Sequence, residues 1–371
     1  MPSLIGWAGN FFLPLMQGAP DMANITSLQG ESNNLSPTAY SGGGGCNINL
    51  KNNIGNYFAG LFEGDGHIWI QKFTDKKKHN PRFCITFHIK DEPLAKKLLE
   101  FIGSGYIRYK LKNNACVLII SSVIGLKRIV KLINGKLRTP KIHKLYSLID
   151  WLNKNHKTNI AKLPIRRSPL NEDGWLSGFV DADGCFSVRH TLPAPARSAG
   201  ELQNLGLKGP DVINPKGEAG HCAQELLQNS EYSHIKLKSD AKKRRISCKL
   251  RIEQRMIDPV TNISYLDILT NIAEILNCNL NIRKQAATGN EYYIVDASNK
   301  VSLNIIIAYF NKYPLLSSKY LDYKDWKEVV LLLLENKVYT EEGIKTTNSV
   351  RGRMNRQRTY FNWDHLNKIK I

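Results

Sequence analysis

The sequence predicts an α+β fold built twice in one chain, as two pseudo-symmetric halves of order α-β-β-α-β-β-α joined where their first helices meet. Three observations support this. The segment Tyr57-Phe58-Ala59-Gly60-Leu61-Phe62-Glu63-Gly64-Asp65-Gly66 returns as Trp175-Leu176-Ser177-Gly178-Phe179-Val180-Asp181-Ala182-Asp183-Gly184. Each copy leads into a similar series of alternating and helical segments. Small residues stand four apart in both copies, at Gly60 and Gly64, and at Gly174, Gly178 and Ala182.

Both motif copies read aromatic, apolar, small, Gly, apolar, apolar, acid, small, Asp, Gly. That is a helix ending at the Asp-Gly step and giving way to a strand. Residues four apart share one helix face. Glycine there costs helix stability, roughly 1 kcal/mol each. A sequence that accepts this cost twice sets two faces without side chains against each other. The terminal acids Asp65 and Asp183 are thereby expected at one place.

The elements that follow are justified by period. In the first half Ile68 and Ile70 alternate with polar neighbours, and Phe83, Ile85, Phe87 and Ile89 alternate with Arg82, Thr86 and His88. A helix over 93–101, strands near 106–111 and 116–121, and helices over 123–134 and 140–152 complete it. In the second half Ile246, Cys248, Leu250 and Ile252 alternate with Ser247, Lys249, Arg251 and Glu253, a period of two. A helix over 265–276, strands near 279–284 and 292–297, and helices over 301–311 and 318–334 follow. The halves differ between their first two strands. There the second carries a surplus at about 191–243, which holds Pro193, Pro195, Pro210, Pro215 and five glycines. With no apolar periodicity except a weak run over 221–227, it reads as a disordered insertion.

Charge narrows the function. The 371 residues hold 52 Lys+Arg against 32 Asp+Glu, a net +20. Residues 1–50 contribute only Asp21 and Glu31, so 51–371 carry +22. Such a surplus points to a polyanion, nucleic acid ahead of a membrane surface. No run of about 18 apolar residues is present to span a membrane. The seven cysteines form no CxxC pair, which argues against a zinc site or a disulfide framework and for a reducing compartment. The domain reading is a flexible leader at 1–50 ending in Gly42-Gly43-Gly44-Gly45, a first half at 51–160, a second half at 161–340 and a basic tail at 341–371. That tail carries Arg351, Arg353, Arg356 and Arg358 ahead of Phe361-Asn362-Trp363, as a backbone clamp or a mobile end. The leader's apolar part lacks the basic start of a signal peptide.

The doubled motif resembles the LAGLIDADG homing endonuclease and maturase family in its single-chain, two-motif form, over about residues 51–340 apart from the insertion. The leader words Gly9-Asn10-Phe11-Phe12-Leu13-Pro14-Leu15-Met16 and Gly18-Ala19-Pro20-Asp21-Met22-Ala23 resemble a piece of cytochrome c oxidase subunit I. Translation running from a mitochondrial exon into an intron reading frame leaves such a leader. The family resemblance implies paired motif helices at the interface and a curved antiparallel sheet in each half facing the DNA major groove. It also implies divalent ions, Mg²⁺ or another such as Mn²⁺, held by Asp65 and Asp183 with the carbonyls of Gly64 and Ala182. Glu63 and Asp181, two residues earlier, are expected to cap or hydrogen-bond instead. Lys319, in Pro314-Leu315-Leu316-Ser317-Ser318-Lys319, and Lys141, in Thr139-Pro140-Lys141, resemble the family's lysines near the scissile phosphate.

Hard oxygen ligands suit Mg²⁺, which keeps several waters and needs few carboxylates. Outward strand positions are the expected readers of DNA: Arg82, Thr86, His88, Tyr106, Arg108 and Lys110 in the first half. Ser187, Arg189, Lys249, Arg251, Glu253, Arg255, Asn281 and Arg283 are their counterparts in the second. Basic and amide groups there can contact base edges or phosphates. The leading expectation is a monomeric, site-specific double-strand DNA endonuclease of the mitochondrial matrix, encoded in an intron, with a long DNA target and no membrane partner. A maturase that binds its host intron RNA and a DNA-binding relic that no longer cuts are the alternatives.

Overall fold

The computed structural model describes residues 50–71, 79–191 and 245–367. Residues 1–49 of the expected leader and the insertion expected at 191–243, beyond Thr191, lie outside the described residues. The first half runs α1 (Leu50–Asp65), β1 (Gly66–Trp69), β2 (Arg82–His88), α2 (Glu92–Ile102), β3 (Tyr106–Lys110), β4 (Ala115–Ile120), α3 (Val123–Ile133) and α4 (Ile142–His156). The second runs α5 (Trp175–Asp183), β5 (Gly184–Thr191), β6 (Arg245–Arg255), α6 (Leu266–Ile275), β7 (Leu280–Lys284), β8 (Glu291–Ala297), α7 (Lys300–Lys312) and α8 (Lys319–Leu334). Each half contains a four-stranded antiparallel sheet, ordered β1-β2-β4-β3 and β5-β6-β8-β7. Thr191 pairs with Arg245, so residues 192–244 join the two ends of one hairpin.

Local chemistry sets several boundaries. The hydroxyl of Ser122 accepts from the Gly125 amide at 3.1 Å to start α3. The Asn299 carbonyl accepts from Ser302 at 2.8 Å to start α7. These are side-chain caps of helix N-termini. Helix α2 begins with a proline in its first turn and stops at Gly103, whose φ of 66° is left-handed, a conformation glycine adopts without strain. Helix α4 begins two residues after the expected 140, with Lys141 at the N-cap position and no side-chain cap.

The α1–α5 pair fixes the frame. A Cβ built on Gly60 would lie 2.0 Å from the Trp175 carbonyl oxygen, and one on Gly178 would lie 1.9 Å from that of Tyr57. The helices therefore touch backbone to backbone, as the four-residue spacing of small residues predicts. On either side the inward strand residues build one continuous core. Phe83 stacks on Phe58 and Phe62, and Phe186 meets Phe310, Tyr323 and Trp326.

The expected basic tail is corrected by the structure. Residues 341–353 form α9 (Glu341–Arg353), capped by Thr340, and α10 (Asp364–Asn367) follows. Met354 and Leu366 are buried. Helix α8 presents Asp322, Asp325 and Glu328, and the arginines neutralise them. Arg353 reaches Asp325 at 2.9 Å and Glu328 at 2.6 Å, while Arg358 binds Asp322 at 2.9 Å and also Asp325. Two of the supposed phosphate clamps are thus internal ion pairs.

Candidate functional site

Helices α1 and α5 end side by side. The Cβ position of Gly64 falls 2.1 Å from the Ala182 Cβ and 3.1 Å from an Asp183 carboxylate oxygen. The carboxylate ending one helix therefore lies against the end of the other. Asp65 and Asp183 are both half-buried. Burial, and then the facing Asp183, push the Asp65 carboxyl well above the usual range. Burial likewise raises Asp183 against the pull of Lys141 and Lys319. Two acids sharing a poorly solvated place hold protons more tightly than isolated ones, and such perturbed carboxylates concentrate at functional sites.

A lysine meets each helix end. The Lys141 ammonium donates to the carbonyl oxygens of Gly64 at 2.8 Å and Gly66 at 3.2 Å. The Lys319 ammonium donates to those of Ala182 at 2.7 Å and Val180 at 3.1 Å. Burial lowers the Lys141 pKa, and Asp183 and Asp65 oppose the shift. The carbonyls of Gly64 and Ala182, which the family resemblance implies as metal ligands, thus each accept a lysine ammonium on one lone pair and keep a second. With the two carboxylates they form an all-oxygen donor set that fits a hard divalent ion such as Mg²⁺.

The acids two residues earlier have another task. Glu63 is fully buried and accepts from the amides of Arg138 at 2.9 Å and Thr139 at 2.6 Å and from the Thr139 hydroxyl at 2.7 Å. Asp181 accepts from the amides of Leu316 at 2.7 Å and Ser317 at 3.1 Å and from the Ser317 hydroxyl at 2.5 Å. Each acid therefore anchors the loop that carries its half's lysine. The anchors cross the interface, since the Trp175 indole donates to Glu63 at 2.6 Å and the Tyr57 hydroxyl to Asp181 at 2.8 Å. Asp91 of the first half also accepts from the Ser318 amide at 2.7 Å. Burial pushes the Glu63 carboxyl up to about 7 even though every neighbour that binds it is a donor.

Cross-strand register sorts the remaining residues, because directly paired residues share a face. In the first sheet Arg82, Thr86 and His88 pair along a line with Trp69, Val117, Ala115, Arg108 and Lys110. That face lies opposite the core residues Phe83, Ile85 and Phe87. In the second sheet Ser187, Arg189, Lys249, Arg251 and Arg255 share a face with Asn281 and Arg283. The expected readers are therefore gathered on two surfaces. His88 is partly committed, its Nδ1 accepting from the Lys90 amide at 3.2 Å. Arg82 lies over the Trp69 ring at 5.2 Å. Asp296 on β8 was missed by sequence reasoning. It stands opposite Arg251 in a strand whose apolar neighbours hide its orientation. Tyr57, Trp175 and Asp91 were missed too, and no local signal marks their partners, which lie far away in the chain.

Among the described residues no helix is long and apolar enough to cross a membrane. The LAGLIDADG endonuclease family matches residues 58–152 and 230–330. The intron-encoded DNA endonuclease aI3 of Saccharomyces cerevisiae is 27% identical over 355 residues, spanning 86% of this chain and 74% of its own. A cox1 intron-2 protein of Schizosaccharomyces pombe is 27% identical over 293 residues, spanning 78% and 69%. The fold resembles that of the meganuclease I-SmaMI bound to uncleavable DNA, with a TM-score of 0.55, 19% identity and coverage of 82% of this chain and 99% of that one. It also resembles that of I-LtrWI, a LAGLIDADG homing endonuclease bound to target DNA, at 0.55, 17%, 82% and 98%. With two motif helices packed at their glycines, two four-stranded antiparallel sheets and two matched segments, the chain belongs to the LAGLIDADG endonuclease family.

Proposed function

We propose that the protein is a site-specific double-strand DNA homing endonuclease, encoded in a mitochondrial intron and acting in the mitochondrion, that hydrolyses one phosphodiester in each strand. One observation carries the reading: Asp65 and Asp183 end two touching helices, with Lys141 and Lys319 seated on the same helix ends. Both catalytic sets thereby stand on one junction, between two sheets whose outward faces are rich in arginine and lysine. The relatives' names, an intron-encoded DNA endonuclease and a cox1 intron protein, support the genetic setting.

In this reading Asp65, Asp183 and the carbonyls of Gly64 and Ala182 would hold divalent ions. A bound ion there supplies Lewis-acid stabilisation of phosphate charge and a more acidic water. Lys141 and Lys319 bring positive charge to the scissile phosphates, fixed by loops that Glu63 and Asp181 anchor. Half-burial of the acids strengthens these charge interactions. The outward basic residues neutralise backbone phosphates and read base edges.

The test is cleavage of a duplex spanning the intronless exon junction, with Mg²⁺ and with a chelator. Mg²⁺-dependent double-strand cutting is expected. Tight DNA binding without cutting would overturn the endonuclease reading in favour of a relic. Binding of intron RNA in place of DNA would overturn it in favour of a maturase.

A further inference from the structure

The two outward faces are not equivalent. Across the first sheet, the paired line of Trp69, Arg82, Thr86, His88, Arg108 and Lys110 contains no acid. Among the described residues, none of its bases makes an ion pair. The second face contains two acids in the midst of its bases. Asp296 accepts from Arg251 Nε at 2.8 Å and Nη2 at 2.7 Å, and from the Lys249 ammonium at 3.1 Å. Glu253 accepts from Arg283 Nη2 at 2.5 Å.

An acid on a surface meant for phosphates opposes binding by like-charge repulsion. Its retention there calls for a compensating role, and guanidinium geometry supplies one. Arginine has five N–H donors in a rigid plane. Asp296 takes the side edge formed by Nε and Nη2, leaving the end edge formed by Nη1 and the second Nη2 hydrogen. That end edge is the fork that pairs with O6 and N7 of guanine. A guanidinium already fixed on one edge loses less rotamer freedom when it meets a base. Asp296 itself is one-fifth exposed, and three donors occupy its two oxygens, which leaves little capacity to accept from a cytosine amino group. Arg283 differs, since Glu253 binds it through Nη2 alone while its guanidinium lies over the Tyr292 ring at 5.7 Å.

We propose that Asp296 is a specificity-determining residue that holds Arg251 for guanine readout. This deepens the proposed function and rests on the sheet faces meeting DNA.

The experiment is binding selection from a random-sequence duplex pool by the full-length wild type, Asp296→Asn and Arg251→Lys. Affinity for an unrelated duplex is measured alongside. Wild type is expected to enrich guanine at positions of one half-site. Asp296→Asn should keep or raise affinity for the unrelated duplex while guanine preference falls about tenfold. Arg251→Lys, with charge kept and the fork removed, should lose the same preference. Equal weakening on both duplexes with unchanged base preference would make Asp296 merely structural and overturn the proposal, as would loss of a cytosine preference instead. A wild type that enriches no sequence would instead overturn the DNA-reading premise itself, which separates the two failures.

Discussion

Gly178→Ala puts one methyl group between the two motif helices. The new Cβ would lie 1.9 Å from the Tyr57 carbonyl oxygen and 2.7 Å from the Leu61 amide nitrogen, where ordinary contact begins at 3.4 Å. Both obstacles are backbone, so no side chain can swing aside, and the helices must part by about 1.5 Å along that line. Overpacking of a core costs typically 1 to 3 kcal/mol, and a rigid clash belongs at the upper end. Alanine returns roughly 1 kcal/mol of helix propensity. The net expectation is a loss of about 2 kcal/mol or more. Gly60→Ala should behave alike, since its Cβ would lie 2.0 Å from the Trp175 oxygen. The assay is urea unfolding with Gly352→Ala as control, because nothing lies within 4 Å of that Cβ and it sits in a helix. A Gly178→Ala protein as stable as the control would refute backbone contact between the helices.

Other consequences follow from the same geometry. Lys141→Met and Lys319→Met should each slow cleavage about a hundredfold or more while leaving DNA affinity nearly unchanged, read by single-turnover cutting beside gel-shift titration. Arg358→Ala strips its ion pair from Asp322, which is almost fully buried, so stability should fall by about 3 kcal/mol in denaturant unfolding. A neutral outcome would return the segment to the status of a loose tail. Acid titration tests the face of β8. Burial alone would raise Asp296, but hydrogen bonds and charge from Arg251 and Lys249 hold its carboxyl below the usual range. A carboxyl depressed in the folded state contributes stability above its unfolded pKa of about 3.9 and loses it as pH falls through the folded value. Arg251→Met should therefore lower stability at pH 6 and flatten its dependence between about pH 4 and 2, measured by unfolding across that range.

The repeat made the frame legible in the sequence. A motif at Tyr57 and again at Trp175 carries both its helix and its terminal acid, and glycines four apart describe the contact between the helices. Alternation along Ile246–Ile252 gave the outward face correctly because a strand with one wet side has a period of two. What escaped was non-local. Nothing near Glu63 announces the amides of Arg138 and Thr139, and nothing near Asp181 announces Leu316 and Ser317. These partners meet only when the loops fold back on the helix ends. Helix α9 does carry a local signal, since Thr340 followed by Glu341 and Glu342 is an N-terminal capping pattern. The pairing of Arg353 and Arg358 with α8 could not be read, because a charge says nothing of which face of another helix awaits it.

The central claim is that Asp65 and Asp183 work as one shared site. Its most direct test is strand-resolved cleavage of the intronless-junction duplex, each strand labelled separately, by wild type, Asp65→Asn and Asp183→Asn with Mg²⁺. The account predicts that either single substitution abolishes cutting of both strands while DNA binding persists. Undiminished double-strand cutting by either variant, or clean loss of only one strand's cut, would contradict it.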